Sequence, residues 1–309
     1  MRKTNLYILT GFLGSGKTTF LKRALNDLEG KKVGVIQNEF GKIGIDGEII
    51  KKDGMELVEI NKGSIFCSCL KMNFVEAMCE MADRNLDYLF VEGSGIGDPS
   101  NIEDILFGVT HNKGDVYDFA GIICIVDALH FMAQVDDLEG VQRQVKHCNL
   151  CIINKTDLVS HEVVSKVKET VKNINPVAHI EEASFAKFNY DFLNEDLRKN
   201  KYAECEETTN SAETKPKTLT LTCEESIDKE EFINFINSVS KDTFRMKGFL
   251  LFKDGWHQVD VVNSKIDFTP CESKSTPSTM VIISKVGTAI IKTIMDSLNL
   301  VSVPMKLKN

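Results

Sequence analysis

The sequence predicts an α/β fold, a doubly wound and mostly parallel sheet, followed by a smaller α+β domain. Three observations carry that prediction. Short apolar, β-prone runs alternate with helically spaced stretches through the first half of the chain. The first such pair is joined by a glycine-rich turn. A polar, acidic stretch at 198–217 then separates these elements from a second group of strands and helices. Taken in order, residues 5–10 are apolar and β-prone and lead into Gly11, Gly14 and Gly16. Residues 18–28 place Phe20, Leu21, Ala24, Leu25 and Leu28 on one helical face. Residues 32–36, 88–91, 121–126 and 150–153 read as buried strands, and 74–82 and 102–107 as helical. Strands alternating with helices imply parallel βαβ units. The stretch 198–217, with Glu204, Glu206 and Glu207 among Thr, Asn and Ser, reads as a linker between domains at 1–197 and 218–309. Beyond it, 218–222, 248–252 and 280–283 read as strands, 229–239 as an amphipathic helix and 287–298 as the closing helix.

Bulk properties exclude several classes. A chain of 309 residues with 42% hydrophobic content has room for two real cores. A net charge of −8 and a pI near 5.4 argue against nucleic acid or an anionic membrane as partner. No segment approaches transmembrane length. The N-terminal apolar run leads straight into the glycine turn, so it does not read as a signal peptide. Nine scattered cysteines, an odd number, fit reduced thiols and a cytoplasmic location better than a disulfide framework.

Residues 11–18 read Gly-Phe-Leu-Gly-Ser-Gly-Lys-Thr, the G-x-x-x-x-G-K-[ST] phosphate-binding loop, set between a strand and a helix. Backbone N–H groups of such a loop converge on anionic oxygens at a helix N-terminus. The nucleotide-binding set is therefore Gly14, Ser15, Gly16, Lys17, Thr18 and Thr19, with Lys17 reaching the β- and γ-phosphates and the Thr18 hydroxyl holding Mg²⁺. A second motif, Asn154, Lys155, Thr156 and Asp157, follows the apolar run 150–153 and so falls at a strand's C-terminal end, where ligands of open α/β sheets collect. An Asp carboxylate there accepts from both N1–H and the exocyclic amine of guanine, a pair that adenine lacks. GTP is favoured over ATP.

These motifs, together with residues 38–46 (Asn38 and Glu39 through Asp46), Glu92-Gly-Ser-Gly95, Asp98-Pro99, Gln144, Asn175-Pro176 and the run from Phe244 to Phe249 that contains Arg245, Lys247 and Gly248, resemble the CobW-type metallochaperone GTPases. That family is related to the urease and hydrogenase nickel-insertion GTPases. The resemblance implies a P-loop NTPase domain with a CobW-like C-terminal domain, and GTP hydrolysis that is slow without a client. It places Glu92 beside Mg²⁺ through a water. It assigns Glu39 and Asp46 to a switch I segment in which one of them orients the attacking water, and Ser94 and Gly95 to a γ-phosphate-sensing turn.

The metal site departs from the family pattern. CobW-type proteins carry Gly-Cys-x-Cys-Cys after switch I, whereas residues 63–69 here read Gly-Ser-Ile-Phe-Cys-Ser-Cys. Ser64 and Phe66 replace the first two cysteines, Cys67 stays in register and Cys69 follows it. Two thiolates make half a tetrahedral Zn²⁺ or Co²⁺ shell, which Glu39, Cys79 or a dimer partner would complete. The implied partner is a client metalloenzyme or corrinoid protein. Two alternatives stand beside this reading: a GTPase switch that acts through protein contacts without metal, and a small-molecule kinase, which Asn154–Asp157 and the second domain disfavour. Cys148 and Cys151 have C-x-x-C spacing, but Cys151 opens a buried strand, so core packing is expected of them.

Overall fold

The computed structural model describes residues 2–38, 55–60, 71–93, 95, 97–136, 138–199, 216–262, 265–272 and 277–308. The chain divides into two compact units, Met1–Thr214 and Lys215–Asn309. Strands of the first unit are β1 (Thr4–Thr10), β2 (Val33–Asn38), β3 (Met55–Ile60), β4 (Tyr88–Glu92), β5 (Tyr117–Asp127), β6 (Leu150–Asn154) and β7 (His179–Glu182). Its helices are α1 (Lys17–Asp27), α2 (Lys71–Ala82), α3 (Ile102–Lys113), α4 (Phe131–Val135), α5 (Glu139–Lys146) and α6 (His161–Ile174). The seven strands form one sheet of order β3-β2-β4-β1-β5-β6-β7, with every neighbouring pair parallel. The chain leaves β1 for β2 on one side and later passes from β4 to β5 across it, so the strand order reverses at β1. In such sheets the ligand crevice lies outside the carboxyl ends of the strands at that point.

Burial explains the continuous apolar runs. Tyr7, Leu9, Phe90, Ile123, Ile125 and Ile152 join Phe20, Leu21, Ala24 and Leu25 of α1 in one core, while their alternates Leu6, Ile8, Leu89, Val91, Ile122 and Ile153 are just as buried. Both sheet faces are covered, as a parallel sheet requires. The segment after β7 wraps onto the α1 face. Phe188, Tyr190 and Phe192 stack around Phe20, and the Tyr7 hydroxyl donates to the carbonyl of Leu193 at 3.0 Å. This anchoring fixes the loop that precedes it, residues 183–187.

The second unit holds an antiparallel sheet of β8 (Thr218–Cys223), β9 (Thr243–Phe252), β10 (Gly255–Val262), β11 (Lys265–Pro270), β12 (Ser278–Ser284) and β13 (Lys306–Lys308). Its order is β11-β10-β9-β12-β8-β13. Phe232, Phe235, Ile236 and Val239 of α7 (Lys229–Val239), with Ile290 and Ile294 of α8 (Ile290–Ser297), close its core against Leu219, Met246, Leu250, Val259 and Ile282. Here the expectation of a closing helix needs correction. Residues 287–289 form a 3-10 turn, α8 follows, and the chain then returns to pair β13 with β8. Lys306 and Lys308 on this edge strand are the charges that keep a sheet edge from pairing onward, and they hid it from an apolar-pattern reading. The signature around Arg245 is explained by packing. Arg245 forms a two-pronged pair with Asp260 at 2.9 and 2.6 Å, and a Cβ on Gly248 would overlap the Thr279 carbonyl.

Within the expected linker, Arg198 and Lys199 belong to the 3-10 turn Leu197–Lys199, where the Arg198 guanidinium lies 5.4 Å from the Phe119 ring centre. Residues 200–215 lie outside the described residues. Among those described, no helix is long and apolar enough to cross a membrane.

Candidate nucleotide site

The phosphate loop turns sharply between the buried end of β1 and α1. Gly11 (φ +132°) and Gly16 (φ +110°) hold conformations that side chains rarely adopt, and a Cβ at either would overlap Ile125 O or Asn154 Nδ2. The first turn of α1 has neither a side-chain cap nor an acidic residue, so the positive end of its dipole suits an anion. Lys17 is 8% exposed, and its ammonium donates to the carbonyls of Gly11 at 2.7 Å and Phe12 at 3.2 Å, which hold it across the loop. The Ser15 hydroxyl is buried without a partner among the described residues.

Glu92 ends β4, beside β1, and is 6% exposed. Its Oε1 accepts from the Thr18 hydroxyl at a long 3.5 Å, and its Oε2 accepts from Gln37 Nε2 at 2.6 Å. Gln37 stands at the end of β2 in register with Glu92, and its own Oε1 is buried without a partner among the described residues. A hydroxyl, a carboxylate and a spare carbonyl beside a phosphate loop are hard oxygen donors, and this set fits Mg²⁺.

On the other side of β1, Asn154 ties two loops together. Its Nδ2 donates to the Ser15 carbonyl at 2.9 Å, and its Oδ1 accepts from the Ala186 N–H at 2.8 Å. Lys155 takes a left-handed conformation (φ +63°), and its ammonium pairs with Asp127 at 2.7 Å. Asp157 is exposed on the 3-10 turn Thr156–Leu158. The 183–187 loop, which the sequence reading passed over, borders this turn. Thr156 Oγ1 donates to the Ala183 carbonyl at 3.1 Å, Tyr190 donates to the Ala186 carbonyl at 2.7 Å, and Arg23 of α1 donates to the Phe185 carbonyl at 2.6 Å. Phe185 and Ala186 both have φ +53°, an unusual pair of left-handed residues that these bonds, the Asn154 bond and the bond from the Lys187 N–H to the Ser184 carbonyl hold in place. Asp127, at the end of the apolar strand β5, was the available sequence signal for a further ligand-edge carboxylate.

The loop after β4 is clamped from two directions. A Cβ on Gly95 would overlap Leu13 of the phosphate loop, so the two backbones touch. Gln144 of α5 donates to the carbonyls of Gly95 at 3.3 Å and Gly97 at 2.9 Å, and its neighbour Arg143 pairs with the fully buried Asp98 at 2.7 Å and donates to Ser100 Oγ at 3.0 Å. Asn175 caps the end of α5, its Nδ2 donating to the carbonyls of Val145, Lys146 and Cys148. These roles of Gln144 and Asn175 are structural, and Arg143 was not foreseen.

Glu39, Asp46, Cys67, Cys69 and Ser94 lie outside the described residues. Among the described ones, no group of three or more His, Cys, Asp or Glu residues is arranged to hold a metal. Cys79 sits partly exposed on α2, its thiol pushed up by burial. Cys148 and Cys151 meet Cys124, Cys151's register partner on β5, in the core. Hydrogen bonding to Cys124 and burial raise both thiols well above the ordinary range, so they are inert packing residues.

The zinc chaperone YjiA of Escherichia coli is 33% identical over 181 residues, covering 56% of this chain and 55% of that protein. Zinc-regulated GTPase metalloprotein activator 1 of Schizosaccharomyces pombe is 32% identical over 189 residues (58% of this chain, 46% of the relative). The zinc chaperone CobW of a Sinorhizobium species is 29% identical over 202 residues, or 54% of each chain. The chain thus spans about half the length of these curated relatives. The crystal structure of Zn(II)-bound YjiA GTPase from E. coli superposes with a TM-score of 0.49 at 20% identity, over 97% of this chain and 99% of that one. Residues 5–182 match the model of the CobW/HypB/UreG nucleotide-binding domain, and 217–298 match that of the cobalamin synthesis protein cobW C-terminal domain. The chain belongs to the CobW/HypB/UreG family of nucleotide-binding proteins and carries the CobW C-terminal domain.

Proposed function

We propose that this protein binds and hydrolyses GTP and couples its nucleotide state to delivery of a zinc- or cobalt-class metal, or a metal cofactor, to a client enzyme. The observation that carries the GTP reading is the Asn154 bridge. It joins the phosphate loop, through the Ser15 carbonyl, to the strand end that bears Asp157 and to the Ala186 N–H. Phosphates and base are thereby read by one connected frame. Asp157 accepts from N1–H and the exocyclic amine of guanine, and the 183–187 loop walls the base from the side.

Hydrolysis is an in-line displacement: water oxygen bonds to the γ-phosphorus as the bond to the β–γ bridging oxygen breaks and GDP leaves. The N–H groups of Gly14, Ser15, Gly16, Lys17, Thr18 and Thr19 hold the phosphate oxygens, and the Lys17 ammonium leaves the loop carbonyls to neutralise charge on the β–γ bridge. Glu39 or Asp46 orients the water and takes its proton. Thr18 directly, and Glu92 through a water, would hold Mg²⁺, which supplies charge neutralisation of the β- and γ-phosphates. Gly95 lies against the phosphate loop and is gripped by Gln144, so a γ-phosphate that draws this loop inward also pulls on α5.

The relatives described as zinc chaperones support the delivery half of the reading, with Cys67 and Cys69 as the thiolate pair. Ser64 and Phe66, standing where the family has cysteines, favour a second reading, a GTPase switch without metal that acts on its client through protein contacts alone. Titration of the reduced protein with Co²⁺, in the presence of a GTP analogue, GDP or neither, separates the two. A thiolate charge-transfer band that depends on nucleotide and is lost in Cys67→Ser and Cys69→Ser supports metal delivery. Absence of such a band in every state refutes delivery and leaves the protein-contact switch.

A further inference from the structure

Gln37 is 2% exposed, yet only one end of its amide is satisfied. Nε2 donates to Glu92 Oε2 at 2.6 Å, while Oε1 has no hydrogen-bond partner among the described residues. A carboxylate oxygen that accepts at this distance faces the amino end of the amide. The carbonyl is therefore left over, at the C-terminal edge of the sheet where the ligand crevice lies. Buried acceptors without a donor are uncommon in native proteins and call for a cause. Glu92 has its other oxygen on the Thr18 hydroxyl, so Thr18, Glu92 and Gln37 form a row across the ends of α1, β4 and β2. Among the described residues nothing donates to the end of that row, which leaves its acceptor open to a donor carried by a ligand.

Hydrated Mg²⁺ carries such donors. The ion sheds water reluctantly and keeps several molecules when bound through one or two protein groups, and each water presents two O–H donors. We propose that Gln37 is an outer-sphere residue of the Mg²⁺ site: its Oε1 accepts from a water on the ion while its Nε2 holds Glu92 in place to accept from another. This rests on the nucleotide reading above and adds to it the residue that completes the water shell. The neutrality of Gln37 has a use of its own. A second carboxylate at this distance from Glu92 would repel it in the absence of the ion, whereas the amide donates to it.

Mn²⁺, which takes the same oxygen ligands and reports through its EPR signal, is titrated into the GDP complexes of the wild type, Gln37→Leu and Gln37→Glu. GDP affinity is measured separately in EDTA. Gln37→Leu is expected to weaken Mn²⁺ about tenfold and to leave metal-free GDP affinity unchanged. Gln37→Glu, which adds a carboxylate at the same place, is expected to tighten Mn²⁺ several-fold. The opposite directions matter, because both variants lose the bond from Gln37 to Glu92. Should the leucine variant not fold, the near-isosteric glutamate variant decides alone. Mn²⁺ weakened alike in both variants, or unchanged in both, overturns the proposal and makes Gln37 a packing residue. A wild type that binds no GDP either in EDTA or with Mn²⁺ present overturns the nucleotide reading itself, and this proposal with it.

Discussion

Asn154→Ala removes a buried side chain that joins the two halves of the nucleotide site. It is 2% exposed and makes two short bonds, Nδ2 to the Ser15 carbonyl at 2.9 Å and Oδ1 from the Ala186 N–H at 2.8 Å. Alanine leaves both backbone groups unsatisfied, at about 1–3 kcal/mol each. Water entering the vacated space recovers part of this, so the expected loss is about 3 kcal/mol. Left-handed Phe185 and Ala186 lose one of the bonds that hold them, so the loop beside Asp157 loosens with the phosphate loop. GDP affinity is expected to fall at least about tenfold, since one lost bond of this kind already accounts for that factor. Urea unfolding followed by far-UV circular dichroism measures the first quantity. The fluorescence of Trp256, the only tryptophan, follows the second unit and identifies its transition. Calorimetric titration with GDP measures the other. A variant within about 0.5 kcal/mol of the wild type, with unchanged GDP affinity, would refute the claim that Asn154 is the connecting strut.

Three further outcomes are expected. Arg143→Met takes the guanidinium away from the fully buried Asp98 carboxylate and should destabilise the first unit by about 3–5 kcal/mol, while adding Asp98→Asn should restore part of that; a melt unchanged by the single substitution would show the pair to be idle. In native protein treated with iodoacetamide, mass spectrometry should find Cys271 and Cys79 alkylated well before Cys124, Cys148 and Cys151, and early labelling of the last three would contradict their place in the core. Asp228 caps α7, and the hydrogen bond from Lys253 with those from the N–H groups of Glu231 and Glu230 lowers its carboxyl below the usual range. A lowered folded value contributes stability that is complete above the unfolded pKa and is lost as pH falls through the folded one. The melting temperature of Asp228→Asn should therefore lie below the wild type's at neutral pH and converge with it in acid; a gap independent of pH would remove the charge from the explanation.

Elements with strong local patterns were legible in the sequence. The helical face of α1, the buried strands β1, β4, β5 and β6, and the amphipathic α7 all follow from the spacing of their own apolar residues. The phosphate loop was legible because its chemistry is local: glycines in the turn, Lys17 and Thr18 at the helix start. What stayed hidden depends on partners remote in sequence. Gln37 gains its meaning from Glu92, Arg143 from Asp98 and Ala186 from Asn154, and none of these pairs leaves a periodicity to read. β7 (His-Ile-Glu-Glu) and β13 (Lys-Leu-Lys) are short polar edge strands whose pairing is set by the neighbour and not by their own composition. Arg245, Lys247 and Gly248 were read as a signature, and the fold supplies its reason in an ion pair and a close backbone approach.

The central claim, that one frame reads both the phosphates and guanine, is tested most directly by a base swap at Asp157. Calorimetric titrations of GDP, ADP and xanthosine diphosphate are run on the wild type and on Asp157→Asn. Xanthine carries a carbonyl where guanine has its amine, so an asparagine amide donates to it where the carboxylate accepted from guanine. The account predicts that the wild type prefers GDP strongly over both others, and that Asp157→Asn loses GDP and gains xanthosine diphosphate. A wild type that binds ADP as well as GDP, or a variant that still prefers GDP, would contradict it.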